Sequence, residues 1–242
     1  MCNNVKYIDA PMISYCSKNT VLLLLLLGAT CWVRSQTEFT LEKVATLQYN
    51  ISPRWSTQLG TEYRNTPAED IGDASLQFNS RHLQFSGTVA YEVGFYAKLG
   101  TGIMYRFNTL EDKGNENETR ITQQYTYAKP YNALRLGHRL KLDQRIKVSE
   151  TTHRMRYRLS ADAPLNGLSV DRGEYYGVAS LETLLNISRL NKPAWDQRFT
   201  LGIGNQIFEK VKLQIDVQYR VEDFFSSNTQ SLFVVTQLYY KL

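Results

Sequence analysis

No cysteine follows residue 31. Cys2, Cys16 and Cys31 all lie near the start, so the rest of the chain has no disulfide, Cys nucleophile, Cys zinc site or iron–sulfur cluster. Histidine is almost as scarce. His82, His138 and His153 are the only three, and no two stand at a metal-ligand spacing, so neither metal nor cofactor is expected. Long apolar runs are missing too. The longest, Val21 to Leu27, falls far short of the roughly 20 residues a spanning helix needs.

That run fits a secretory signal. Lys18 precedes it, small residues follow, and Val33 and Ser35 occupy the two positions a signal peptidase reads. Cleavage is expected after Ser35, giving a signal over residues 1–35 and a mature domain over 36–242 that begins at Gln36. The stretch before Lys18 is long for such a signal, which makes Met12 an alternative start. A lipoprotein signal at Cys31 competes with this reading, but Thr30 is a poor residue before a lipidated cysteine.

What remains is rich in tyrosine, with 16 in the chain, a residue suited to strands and to membrane interfaces. The slightly negative mean hydropathy does not exclude a membrane barrel, whose apolar signal is hidden in alternation. That alternation runs along most of the chain. In 54–64, Trp55, Thr57, Leu59, Thr61 and Tyr63 oppose Ser56, Gln58, Gly60, Glu62 and Arg64, a half-apolar strand. Segments 82–93 and 95–107 repeat the pattern, and 212–222 is the cleanest, with Leu213, Ile215, Val217, Tyr219 and Val221 on one face. Further strands are predicted near 37–50, 118–128, 133–146, 153–163, 174–185, 197–208 and 231–242. In 174–185 both faces are mixed, and in 37–50 Lys43 falls on the apolar face. Pro53, Pro67, Pro130, Pro164 and Pro193 all fall between these segments, where a missing N–H does no harm.

Connections alternate in length: short near 51–53, 94, 129–132 and 209–210, longer near 65–80, 108–117, 186–196 and 223–230. Outer-membrane barrels sort their loops this way, with the long ones outside. The predicted fold is therefore all-β, an antiparallel up-and-down transmembrane β-barrel of about 10–12 strands in the outer membrane of a Gram-negative bacterium. Eleven segments are countable. Single-chain bacterial barrels have even numbers, which favours 12. The final SLFVVTQLYYKL resembles the C-terminal signal read by the barrel-assembly machinery, with Leu242 where Phe or Trp is usual.

The opposite face would line the lumen. There Arg135, Arg139, Lys141 and Arg145, then Arg154, Arg156 and Arg158, stand at alternate positions on two successive strands and form a basic ladder. Glu62, Asp143, Glu182 and Asp216 are candidate lumen partners, with Glu118, Asp162, Asp196 and Glu222 also available. The favoured reading pairs these charges across a narrow, largely filled lumen, because buried arginine must be paired or hydrated. The alternative is a narrow channel for small anions, since guanidinium offers forked donors to oxyanions. Gly60, Gly100, Gly102, Gly137, Gly202 and Gly204 are expected to leave interior space for it.

With these strands laid out, the chain resembles the outer-membrane barrels of the family called domain of unknown function 2490, common in the Bacteroidota. The likeness lies in Glu62-Tyr63-Arg64, in HRLKLDQR (138–145), RMRYRLSADAPL (154–165) and DQRFTLGIGNQI (196–207), and it covers nearly all of the mature chain. It implies an outer-membrane barrel and carries over no catalytic residue.

Enzymatic patterns are lacking. The His-x-Ser pair of outer-membrane acyl hydrolases is broken at every histidine, by Gln84, Leu140 and Met155. His153 with Asp143 and Glu150 is a thin match to an omptin-type protease, and the acidic stretch 111–118 reads as solvated loop charge rather than a calcium loop. The expected role is non-catalytic, structural or binding, with lipid and the assembly machinery as partners. Nucleic-acid binding is not expected, because the basic excess lies on a strand face of an exported chain.

Overall fold

The computed structural model describes residues 38–67, 78–108, 115–226 and 228–242, and all regular elements among them are strands. The predicted signal at 1–35 lies outside the described residues, as do 68–77 and 109–114 of the predicted long loops. In chain order the strands are β1 (Glu38–Asn50), β2 (Trp55–Pro67), β3 (Phe78–Glu92), β4 (Ala97–Phe107), β5 (Glu118–Tyr131), β6 (Leu134–Ile146), β7 (Thr151–Pro164), β8 (Tyr175–Ser188), β9 (Ala194–Phe208), β10 (Val211–Glu222) and β11 (Thr229–Lys241). They close into one barrel in which sequence neighbours pair antiparallel and β1 meets β11.

The favoured count of 12 is corrected to 11. A ring made wholly of antiparallel pairs must have an even number of strands, so an odd ring needs one parallel pair. That pair is β1 with β11, in register from Glu38↔Ser231 to Gln48↔Lys241. Both doubtful segments are wall strands. Lys43 does face outward on β1, about 6.0 Å from the Tyr63 ring centroid. β8 has a mixed inner row, Tyr176, Val178, Ser180, Glu182, Leu184 and Asn186, because it faces polar chambers and packed side chains in turn. The prolines need a smaller correction. Pro67 and Pro164 end strands and Pro130 pairs with Arg135 near a strand end, so three lie in the wall's margins rather than between strands.

Loop sorting is less regular than predicted. Connections 51–54, 93–96, 132–133 and 209–210 are short and share one end, but 165–174 joins them there with ten residues. Gly167 and Gly173, both at positive φ, turn that loop, and Asn205 Nδ2 donates to the Gly173 carbonyl. At the other end, 147–150 and 189–193 are short.

Register fixes the size of the barrel. Carried once around the wall, it returns to β1 displaced by about 14 residues, which implies strands tilted about 40° and a backbone radius of about 11 Å. Outward side chains form an apolar belt, with Leu59, Ile103, Leu142, Leu201, Ile215 and Val217 all exposed. Aromatic side chains bound it: Tyr49, Trp55, Tyr96 and Tyr131 toward the short-turn end, Phe39, Phe107 and Trp195 toward the other. Along β1, Phe39 and Tyr49 are separated by about 25 Å of height at that tilt.

Inside, the glycines do not leave the space expected of them. A Cβ on Gly204 would overlap the Tyr176 ring, one on Gly202 would overlap the Asp216 carboxylate, and one on Gly137 would come within 2.7 Å of Ser160 Oγ. The recesses are occupied by side chains from neighbouring strands, so a wall of this tight radius can carry a full inner layer.

Candidate functional site

The strand stagger stacks two chambers along the lumen. The upper one, about 480 Å³, lies toward the 223–228 end, and the lower one, about 800 Å³, lies toward the short turns. Arg158, Thr200, Asp216 and Gln237 border both and form the layer between them.

The predicted ladder points inward and splits between these levels. Arg135 stands at the lower mouth, paired with Asp162 at 3.0 Å and largely exposed. Above it, Arg139 Nη2 lies 3.7 Å and Arg158 Nη2 3.2 Å from the Glu182 carboxylate, which Arg198 of β9 approaches at 3.7 Å. Glu182 thus answers three guanidinium groups while only 1% exposed. Arg156 Nη2 is 2.5 Å from Asp143 Oδ2, and Lys141 Nζ is 3.8 Å from Asp143 Oδ1. Arg145 donates to both oxygens of Glu118, at 3.0 and 2.6 Å. Arg154 differs: its Nε donates to Asn186 Oδ1, and among the described residues no carboxylate lies within 4 Å of it.

Two of the candidate acids serve other partners. Glu62 accepts from His82 at 2.9 Å, Gln84 at 2.7 Å and Arg64 at 3.4 Å, on the far side of the lumen from the ladder. Asp216 is held by Gln214 and Gln237 rather than by a ladder arginine. Glu118, which ends the acidic stretch 111–118 and is also among the available lumen acids, opens β5 and is 1% exposed beneath Arg120 and Arg145. His82 is buried against Glu62, and His138 faces outward with the Tyr157 hydroxyl 2.8 Å from Nδ1.

Arginines outside the ladder complete the upper chamber: Arg64, Arg106, Arg120, Arg198 and Arg220. Glu42 takes Arg64 at 2.6 Å and Arg220 at 3.6 Å, and the Phe233 ring lies against both, with Arg220 3.4 Å from its centroid. Arg64, Arg106 and Arg220 stood on polar faces by alternation. Their convergence was not readable, because it depends on the register of non-neighbouring strands.

Residues 43–231 match the family model described as Protein of unknown function (DUF2490). The chain belongs to this family. Among solved structures, the DUF2490 barrel is similar to the anion-selective porin from Comamonas acidovorans, at 14% identity and a TM-score of 0.35, over 76% of this chain and 55% of that one. It therefore spans about half the length of that porin. No curated protein matches.

The charge inventory is what gives this DUF2490 lumen its character. Ten basic side chains line the upper chamber against four acidic ones, Glu42, Glu62, Asp216 and Glu222, and three more carboxylates, Glu118, Asp143 and Glu182, are buried against the bases of that lining. The lower chamber adds Lys210, Lys212 and Lys241, with Asp162 and Glu209 among them.

Proposed function

We propose that this protein is an outer-membrane β-barrel whose lumen is a narrow, water-filled, anion-selective passage, with no catalytic role. The observation that carries the reading is the excess of basic over acidic side chains around the upper chamber, ten against seven once the buried Glu118, Asp143 and Glu182 are counted with the four acids of its lining. In a barrel of about 11 Å backbone radius, every permeating ion must pass close to those guanidinium groups. The two chambers favour this over a filled lumen, since they leave volume on both sides of the Arg158 layer. The membrane setting is supported by the exposed apolar belt between aromatic rims, whose height of about 25 Å equals the apolar band of outer-membrane barrels. Lipid is then the outward partner, and the assembly machinery acts during insertion.

Two measurements test this. The mature protein should fractionate with the outer membrane and run heat-modifiably on gels; recovery in the soluble periplasm would overturn the membrane reading. In planar bilayers the purified protein should give a reversal potential set by the anion gradient. Cation selectivity, or no conductance from folded protein, would overturn the passage.

A further inference from the structure

The arginines of the upper chamber are unequally compensated. On the side built by β1, β10 and β11, Glu42 and the Phe233 ring absorb Arg64 and Arg220. The side built by β7, β8 and β9 is different. There the inward row of β8 places Glu182 between Arg158 and Arg198 in register, then Leu184 between Arg156 and Asp196, then Asn186 beside Arg154. Leu184 is fully buried and supplies no charge where a second carboxylate would stand. Arg154 is left with a neutral amide and sits within the repulsive field of Arg145, Arg156 and Arg198. Arg198 has, among the described residues, one carboxylate within 4 Å, Glu182 at 3.7 Å, with Glu222 and Asp196 acting from farther off, and its Nε lacks a hydrogen-bond partner. Arg156, 9% exposed, is paired with Asp143 but also keeps an unpartnered Nε. Charges left this way in a chamber cost stability unless something else neutralises them.

We infer that this face of the upper chamber is a binding site for a soluble multivalent oxyanion of the phosphate class, held by Arg154 and Arg198 with Arg156 behind them. Forked guanidinium donors match the tetrahedral, multiply charged oxygens of phosphate better than they match a halide. A volume of about 480 Å³ admits inorganic phosphate, pyrophosphate or a small phosphorylated molecule. The ligand is small and polar rather than aromatic, because the Phe233 ring at this level is already covered by Arg220. Asn186 orients Arg154 and is itself anchored, its Nδ2 donating to Asp196 at 2.9 Å. The inference rests on the reading of the lumen as open to water and adds the ligand that it retains.

Titration of the detergent-folded protein with inorganic phosphate and with pyrophosphate, at constant ionic strength in chloride, tests it. Pyrophosphate should bind more tightly than phosphate, and both should raise the unfolding midpoint. Arg154→Gln and Arg198→Gln should each weaken binding by about tenfold or more, the loss of one charge-assisted hydrogen bond. Arg81→Gln, at the exposed rim, should leave binding unchanged. Arg154→Gln should also unfold at equal or higher urea than the parent when no phosphate is present, since it removes an uncompensated charge; a merely structural arginine would do the reverse. No binding in the millimolar range, or equal binding by the parent and Arg154→Gln, overturns the site. Bilayer recording of the same samples separates the two ideas. Arg154-dependent phosphate binding without anion-selective conductance removes the passage and keeps the site, and anion selectivity without such binding does the opposite.

Discussion

Glu182 is the position where a single atom change asks most of this lumen. Glu182→Gln keeps the shape of the side chain and one carbonyl acceptor but removes the charge that faces Arg139, Arg158 and Arg198 at 3.7, 3.2 and 3.7 Å. At an effective dielectric near 20, each pair contributes a gross attraction of about 4–5 kcal/mol. Most of that is offset by desolvation, and breaking a buried pair nets about 3–5 kcal/mol. Arg139 and Arg158 are about a third exposed, so water takes up part of their loss and the lower end applies, about 3 kcal/mol. With a urea slope of about 2 kcal/mol per molar, the midpoint should fall by about 1.5 M. Tryptophan fluorescence of Trp55 and Trp195 in lipid vesicles reads this directly. Adding Arg158→Gln to Glu182→Gln should recover part of the loss, because one stranded cation is removed with its partner. The same variant should show stronger anion selectivity in bilayers, since the lumen gains positive charge. An unchanged midpoint would refute the claim that one carboxylate holds three arginines.

On the outer face, Ile215→Arg or Val217→Arg should cost about 2–4 kcal/mol in the same assay, whereas Lys43→Leu on β1 should be neutral or stabilising; equal costs for outward and inward charges would contradict the face assignment. Gly204→Val should displace the Tyr176 ring, break its hydroxyl's 3.0 Å hydrogen bond to Gln214 and destabilise by about 1–3 kcal/mol, measured by urea unfolding. At the loops, the Ser149 hydroxyl and backbone N–H donate to Glu116 at 2.7 and 3.1 Å and hold its carboxyl below the ordinary value. A depressed carboxylate stabilises the fold above its unfolded pKa, and that contribution is lost as pH falls through the folded one. NMR titration of Ser149→Ala should therefore move Glu116 up toward the ordinary value, and no movement would remove the contact.

Period-two alternation makes most of the fold legible, because a strand with one face outward and one inward writes its orientation into every second residue. Lys212 to Glu222 shows this best: Gln214, Asp216, Gln218 and Arg220 are buried within, and Ile215 and Val217 are exposed without. Alternation blurs where the interior is itself mixed, as on β8, whose inner row passes from Val178 to Glu182 to Leu184. Strand parity failed for another reason. The even-number rule assumes antiparallel closure, and nothing local in residues 38–48 announces that they will run parallel to 231–241.

The candidate site divides along the same line between local and non-local information. The ladder on β6 and β7 is legible because its members all fall on the inward positions of two adjacent strands, and a hairpin places such residues side by side. Their partners are harder to read. Asp143 lies on β6 itself and Glu182 on the next strand but one, within reach of alternation and adjacency. Glu42 is different: it meets Arg64 directly across the β1–β2 pair but Arg220 only across the parallel seam, at a height set by the accumulated stagger of the whole ring. That stagger also decides which arginines share a chamber. Arg64, Arg106, Arg120 and Arg198 become one wall because a displacement of about 14 residues per circuit brings them level with Arg154 and Arg156. The chemistry of this lumen therefore belongs to the closed barrel, and a linear reading recovers its composition but not its concentration on one face of one chamber.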